Sequence, residues 1–174
     1  MVEEDIQERP VLEVYVESIG ESMSRMRLLT ARRIIARLAV STVAPELEVS
    51  HLDALHAVVR AEQTGEVTVG TVAEALRIDP SRASRIVSDM VNRNVLRRKA
   101  SQSDARRIVV VVTAKGQKLL SELRRQKLSV VSEIVKDWPK QDTERFAALY
   151  ERYMNGLEEV ISTRGKEIAE SSER

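Results

Sequence analysis

The chain has no cysteine among its 174 residues, so disulfides, thiolate zinc sites and thiol redox chemistry are excluded. Six glycines and four prolines are too few for a turn-rich β-sandwich. One Trp, one Phe and three Tyr leave a core that must be aliphatic. Only two histidines are present, and no apolar run approaches the ~18 residues of a membrane span. Met1 starts no basic–apolar signal segment. These absences predict a soluble cytoplasmic protein with no membrane partner. What the chain does have is 43% hydrophobic and 32% charged residues in helical periodicity, which points to a mainly α protein.

The net charge of +1 hides strong segregation. Residues 1–20 carry six acids and one base, net −5. Residues 77–107 carry nine bases and three acids, net +6. Residues 137–174 carry nine acids and six bases, net −3. A basic block between acidic ends reads either as a surface that meets a polyanion or as a solvated face.

Apolar residues from Leu12 to Leu38 recur at helical spacing, which predicts one long helix from about Pro10 to Val43. Residues 1–9 and the polar tail from Arg164 are expected to fray. Ser50 is expected to cap the next helix, with Asp53 completing a capping box and Gly65 near its end. Two short helices follow, Val69–Leu76 and Pro80–Asn94. The period then changes: Val95–Ala100 and Arg107–Thr113 read as strands, joined by the polar tip 101–106. Thr113 is expected to cap a helix that runs to about Lys136. Trp138-Pro139 ends it, and a last helix carries Phe146, Tyr150, Tyr153, Leu157 and Ile161.

The segment Val69–Ile86 has the spacing of a helix-turn-helix. Val72, Ala73, Leu76, Ile78, Ala83 and Ile86 are its small or apolar positions, as two steeply crossed helices require. Asp79 is placed to cap the second helix and Pro80 to open it. The outward face of that helix begins Ser81, Arg82, Ser84, Arg85. Guanidinium groups and small hydroxyls near an exposed helix start suit the major groove, although a solvated face fits the same residues. The hairpin that follows makes a winged helix, with Arg97, Arg98, Lys99 and Arg107 on its strands. At the tip, Arg106 suits a minor groove, and Asp104 is expected to hold the tip in shape.

The stretch from Asp79 to Gly116 resembles the core of the MarR family of winged-helix transcription regulators. The family's Asp-x-Arg wing tip is here Asp104-Ala-Arg106. Its Leu-Thr-x-x-Gly motif is here Val112-Thr113-Ala-Lys-Gly116, with Val replacing Leu. Asn94 stands where Gly usually ends the recognition helix. The resemblance implies a winged helix-turn-helix over 50–113, between dimerisation segments at 1–49 and 114–174. It implies an obligate homodimer on palindromic double-stranded DNA, and a repressor released by a small anionic or aromatic effector. The long apolar stripes of the first and last helices agree with a dimer, with intrachain packing as the competing reading.

The DNA-contacting set is thus Ser81, Arg82, Ser84, Arg85, Arg98, Arg106 and Arg107, with Asp104 supporting the wing. The dimer set is Phe146, Tyr150, Tyr153, Leu157 and Ile161. An effector pocket, which the resemblance implies, would draw on Arg32, Arg33, His51 and His56. His51 and His56 are five residues apart, off one helical face, so no metal site is expected. The alternative function is a winged-helix protein-interaction module, against which the basic block argues. No enzyme is expected, since no nucleotide-binding, zincin or nucleophile-elbow motif is present, and no cofactor is expected.

Overall fold

The computed structural model describes residues 4–104 and 106–172. The elements run α1 (Glu4–Ala31), α2 (Ile34–Val43), a single 3-10 turn (Val49–His51), α3 (Leu52–Glu62), α4 (Val69–Leu76), α5 (Pro80–Asn92), β1 (Leu96–Ala100), β2 (Ile108–Val112), α6 (Ala114–Val135) and α7 (Lys140–Ser172). The class is the expected one, mainly α with one β-hairpin among the described residues. The chain divides into two compact units, one running through Lys127 and a second from Leu128 onward.

In the first unit the single helix expected over 10–43 is two helices. Helix α1 begins at Glu4. It ends at Ala31, and Arg33 adopts the left-handed conformation (φ 48°, ψ 34°). A single left-handed residue leaves the apolar spacing on both sides intact, and neither Gly nor Pro marks the break. A long-range contact that periodicity cannot register lies at the break. Arg33 donates to the Asp53 carboxylate at 2.9 Å and lies 3.4 Å from the Val49 carbonyl.

Ser50 does not cap α3. Residues 49–51 form the 3-10 turn, and the Ser50 hydroxyl donates to Glu48 instead. Asp53 serves the Arg33 pair rather than a capping box, and α3 ends at Glu62, short of Gly65. Helix α4 has a reciprocal cap that its sequence did not signal. The Thr68 side chain accepts the Thr71 amide, and the Thr71 side chain accepts the Thr68 amide. Helix α4 closes on Arg77 in the left-handed conformation (φ 53°), the turn position where Gly is common.

The core joins Leu52, Leu55 and Val58 of α3 to Val72 of α4, Val87 and Met90 of α5, Val95, Leu96, Val110 and Leu119. Ala39 and Val40 bring α2 onto the same cluster. Strands β1 and β2 pair antiparallel, Leu96 with Val112 through Ala100 with Ile108. The Val110 amide donates to the Val67 carbonyl at 2.7 Å, so the segment before α4 borders the hairpin.

Thr113 begins α6 as expected: its hydroxyl accepts the Gly116 amide at 3.1 Å and donates to the Asn94 carbonyl at 2.6 Å. Asn94 is itself left-handed (φ 58°), the conformation that lets α5 turn into β1.

In the second unit α7 extends to Ser172, so the tail expected to fray from Arg164 is helical as far as it is described. Residues 1–3 of the expected N-terminal fray, and residues 173–174 of the tail, lie outside the described residues. Trp138 meets Phe146 edge-on, and Phe146 stacks on Tyr150 one turn later. Leu12, Val16 and Ile19 on α1 are exposed, as are Phe146, Leu149, Val160 and Ile161 on α7. Large apolar side chains repeated along a helix and left open to water mark faces that bury against something else.

Candidate nucleic-acid interface

Helix α5 alternates its burial with the helical period. Ala83, Val87 and Met90 are buried, while Ser81, Arg82, Ser84 and Arg85 are exposed together on the outer side of its first turns. Asp79 fixes where that face begins. Its carboxylate accepts the Arg82 amide at 2.8 Å and the Ser81 hydroxyl. These bonds, the Ser81 hydroxyl first, hold the Asp79 carboxyl below the usual carboxylate range. The Ser81 proton is therefore engaged in the cap, and its oxygen remains an acceptor. The positive end of the helix dipole opens beside Arg82 and Arg85.

The wing is coupled to this helix through Arg98, whose guanidinium donates to Ser88 on α5 at 2.8 Å. Arg98 thus spans the joint between strand and helix. Arg97, Lys99, Arg106 and Arg107 are exposed. At the tip, Asp104 Oδ1 accepts the Arg106 amide at 3.0 Å, and the Asp104 carbonyl accepts the Arg107 amide at 2.9 Å.

Two parts of the site go beyond the contact residues expected from the sequence. One is Glu66, between α3 and α4. Its carboxylate accepts the Ser101 hydroxyl at 2.6 Å and the Gln102 amide at 3.0 Å. Those bonds, the Ser101 hydroxyl first, hold Glu66 below the usual carboxylate range, and the Arg107 charge adds to the effect. Ser101 itself is buried. The pairing spans 35 residues, beyond anything that periodicity or spacing registers.

The other part is the inner end of α5. Asp89 accepts the Arg93 guanidinium at 2.7 Å, and this bond is the main cause that lowers the Asp89 carboxyl below its ordinary value. The Arg93 carbonyl in turn receives Lys115 at 3.1 Å, and Lys115 pairs with Glu46. Arg93, one of the nine bases of the basic block, is thus engaged within the fold and drops out of the outward surface. His51 is buried with Nδ1 3.2 Å from Asp89 Oδ2.

The four residues assigned to an effector pocket stand in different surroundings. His56 is exposed and lines an open concavity of about 490 Å³ with Asp53, Arg60, Thr64 and Leu76. His51 faces α5, Arg33 is held by Asp53, and Arg32 is exposed. Among the described residues no group of His, Asp and Glu could hold a metal ion, and no helix is long and apolar enough to cross a membrane.

Residues 46–107 match the sequence model described as the MarR family. A curated relative, the uncharacterized HTH-type transcriptional regulator YxaD of Bacillus subtilis, is 26% identical over 91 residues. That match covers 52% of this chain and 64% of the relative, less than two thirds of its length. Among solved structures, Rv1404 of Mycobacterium tuberculosis is 18% identical with a TM-score of 0.64, over 80% of this chain and 92% of that one. A point mutant of MepR of S. aureus, bound to an oligodeoxyribonucleotide, is 17% identical with a TM-score of 0.57, over 79% of this chain and 97% of that one. MepR bound to ethidium bromide is 15% identical with a TM-score of 0.57, over 78% and 95%. At these identities the solved structures establish the fold. Over its winged helix, residues 46–107, the chain is similar to the MarR family.

Proposed function

We propose that this winged-helix chain belongs to the MarR family as a dimeric, sequence-specific DNA-binding transcription regulator, and that it acts as a repressor released by a small anionic or aromatic effector. One observation carries the reading. The exposed face of α5 and the wing tip bear Arg82, Arg85, Arg106 and Arg107, while Asp79 and Asp104 beside them are committed to backbone amides. A surface built this way is a cationic contact for phosphates and base edges. Arg82 and Arg85 read base edges in the major groove, with Ser81 and Ser84 as shorter polar contacts. Arg106 enters the flanking minor groove, and Arg107 and Arg98 supply charge along the wing.

A second copy covers the exposed apolar face of α7, with Phe146, Tyr150, Tyr153, Leu157 and Ile161 at its centre. A two-fold dimer matches a palindromic operator. The MepR structures support both kinds of partner, since MepR was solved with an oligodeoxyribonucleotide and with ethidium bromide.

The test is selection of genomic fragments by the purified protein, followed by titration at several salt concentrations. Enrichment of discrete palindromic sites, with affinity falling as salt rises, is the expected outcome. Recovery of no sequence, or an affinity indifferent to salt, overturns the reading in favour of a protein-interaction module.

A further inference from the structure

We propose that Glu66, in the loop between α3 and α4, is a positioning residue for the wing tip and sets the pose from which Arg106 engages DNA. This rests on the DNA-binding reading above. Glu66 belongs to neither the helix nor the hairpin assigned to DNA, yet a continuous run of hydrogen bonds joins it to the Arg106 backbone. Its Oε1 accepts the Gln102 amide at 3.0 Å and its Oε2 the Ser101 hydroxyl at 2.6 Å. Ser101 Oγ in turn receives the Ser103 and Asp104 amides, each at 3.1 Å. The Ser103 hydroxyl lies 2.9 Å from Ser101 Oγ and 3.4 Å from Glu66 Oε2. Asp104, fixed through its amide, then accepts the Arg106 amide.

The chemistry of the hub demands an ionised carboxylate. With two amides aimed at its oxygen, Ser101 must direct its own proton outward, and the short contact runs to Glu66. Both Glu66 oxygens face donors, and a carboxylate is acceptor on both. A glutamine in the same place turns its NH2 group either toward the Gln102 amide or toward a Ser101 oxygen already occupied by two amides. One donor loses its acceptor in either orientation. The hub sits at the base of an exposed tip, so its loss is expected to free the tip while the helices stay folded. A tip that must be ordered on binding loses affinity through the entropy of that ordering.

The experiment uses the full chain and a duplex that the wild-type protein recovers from a random-sequence pool. Wild type, Glu66→Gln, Arg106→Ala, Arg82→Ala and the double variant E66Q/R106A are compared by titration, hydroxyl-radical footprinting and thermal melting. Glu66→Gln is expected to weaken binding about tenfold. It should erase the minor-groove protections that Arg106→Ala erases, and keep those that Arg82→Ala erases. The double variant should bind no worse than Arg106→Ala alone. Ser101→Ala, which removes the hub from the wing side, should reproduce the same footprint and carries the test if Glu66→Gln fails to fold. Intact wing protections in a folded Glu66→Gln or Ser101→Ala variant, or independent losses that add in the double variant, overturn the assignment to Glu66 alone. Failure of the wild-type protein to recover any duplex overturns the DNA-binding reading itself, and the role of Glu66 with it.

Discussion

Gly116 lies against the carbonyl of Val95 so closely that no side chain fits between them. A Cβ at this position would overlap the Val95 oxygen and stand 2.6 Å from Val112 Cγ1. The first turn of α6 therefore packs directly onto the start of the hairpin, and Thr113 locks the approach through the Asn94 carbonyl. Gly116→Ala is expected to destabilise the fold by about 1–3 kcal/mol, as overpacking of a rigid site does. Chemical denaturation is the measurement. A loss below about 0.5 kcal/mol would mean that the contact relaxes freely.

The exposed apolar faces of α1 and α7 predict a dimer in solution. Light scattering at micromolar concentration should give twice the chain mass of 19.6 kDa. Leu157→Asp should shift the mass toward that of the single chain, because an unpaired carboxylate cannot be buried cheaply in an apolar interface. A wild-type mass of 19.6 kDa would remove the dimer.

Arg82→Ala and Arg106→Ala should fail differently. Loss of a base-reading Arg82 should cost about 1–3 kcal/mol at the cognate site and flatten preference at one position in each half-site. Loss of Arg106 should weaken binding with little change among major-groove positions, since the minor groove separates mainly A·T from G·C. Titration against single-base variants of the selected site distinguishes them. Both variants staying within about twofold of wild type would show that the assigned face is wrong.

DNA affinity should fall linearly on a logarithmic salt scale, with a slope of about −0.9 for each phosphate neutralised. Arg106→Ala should make that slope shallower by about one. A variant slope equal to wild type would mean that Arg106 neutralises no phosphate charge.

Asp89 makes stability depend on pH in a defined direction. Its folded carboxyl is depressed, mainly by the Arg93 hydrogen bond, so its contribution is complete above the unfolded carboxylate value. The contribution is lost as pH falls through the lower, folded value. Asp89→Asn should lower the melting temperature at neutral pH and narrow its gap to wild type in acid. Melting curves at several pH values check this, and a gap that does not change with pH would contradict the Arg93 pair as its source.

Much of the fold was legible because its signals are local. The switch from helical period to the β-branched run 108–112 marks the hairpin, Asp79-Pro80 marks the start of α5, and Thr113 marks α6. Each depends on residues within a turn or two of one another, where backbone preference and capping chemistry act. The wing motif Asp104-Ala-Arg106 was legible for the same reason, since Asp104 bonds the amide two residues on.

Tertiary structure alone decided the rest. The first helical stretch breaks at left-handed Arg33, whose guanidinium meets Asp53 twenty residues away. Ser50 is left out of the cap because the 3-10 turn delays the start of α3 to Leu52. Glu66 reaches the wing across 35 residues. The sequence determines which residues can be apolar face, cap or cation through local periodicity and backbone preference. Which charge meets which partner depends on distances that exist only once the core has folded, because a hydrogen bond acts over about 3 Å and not along the chain.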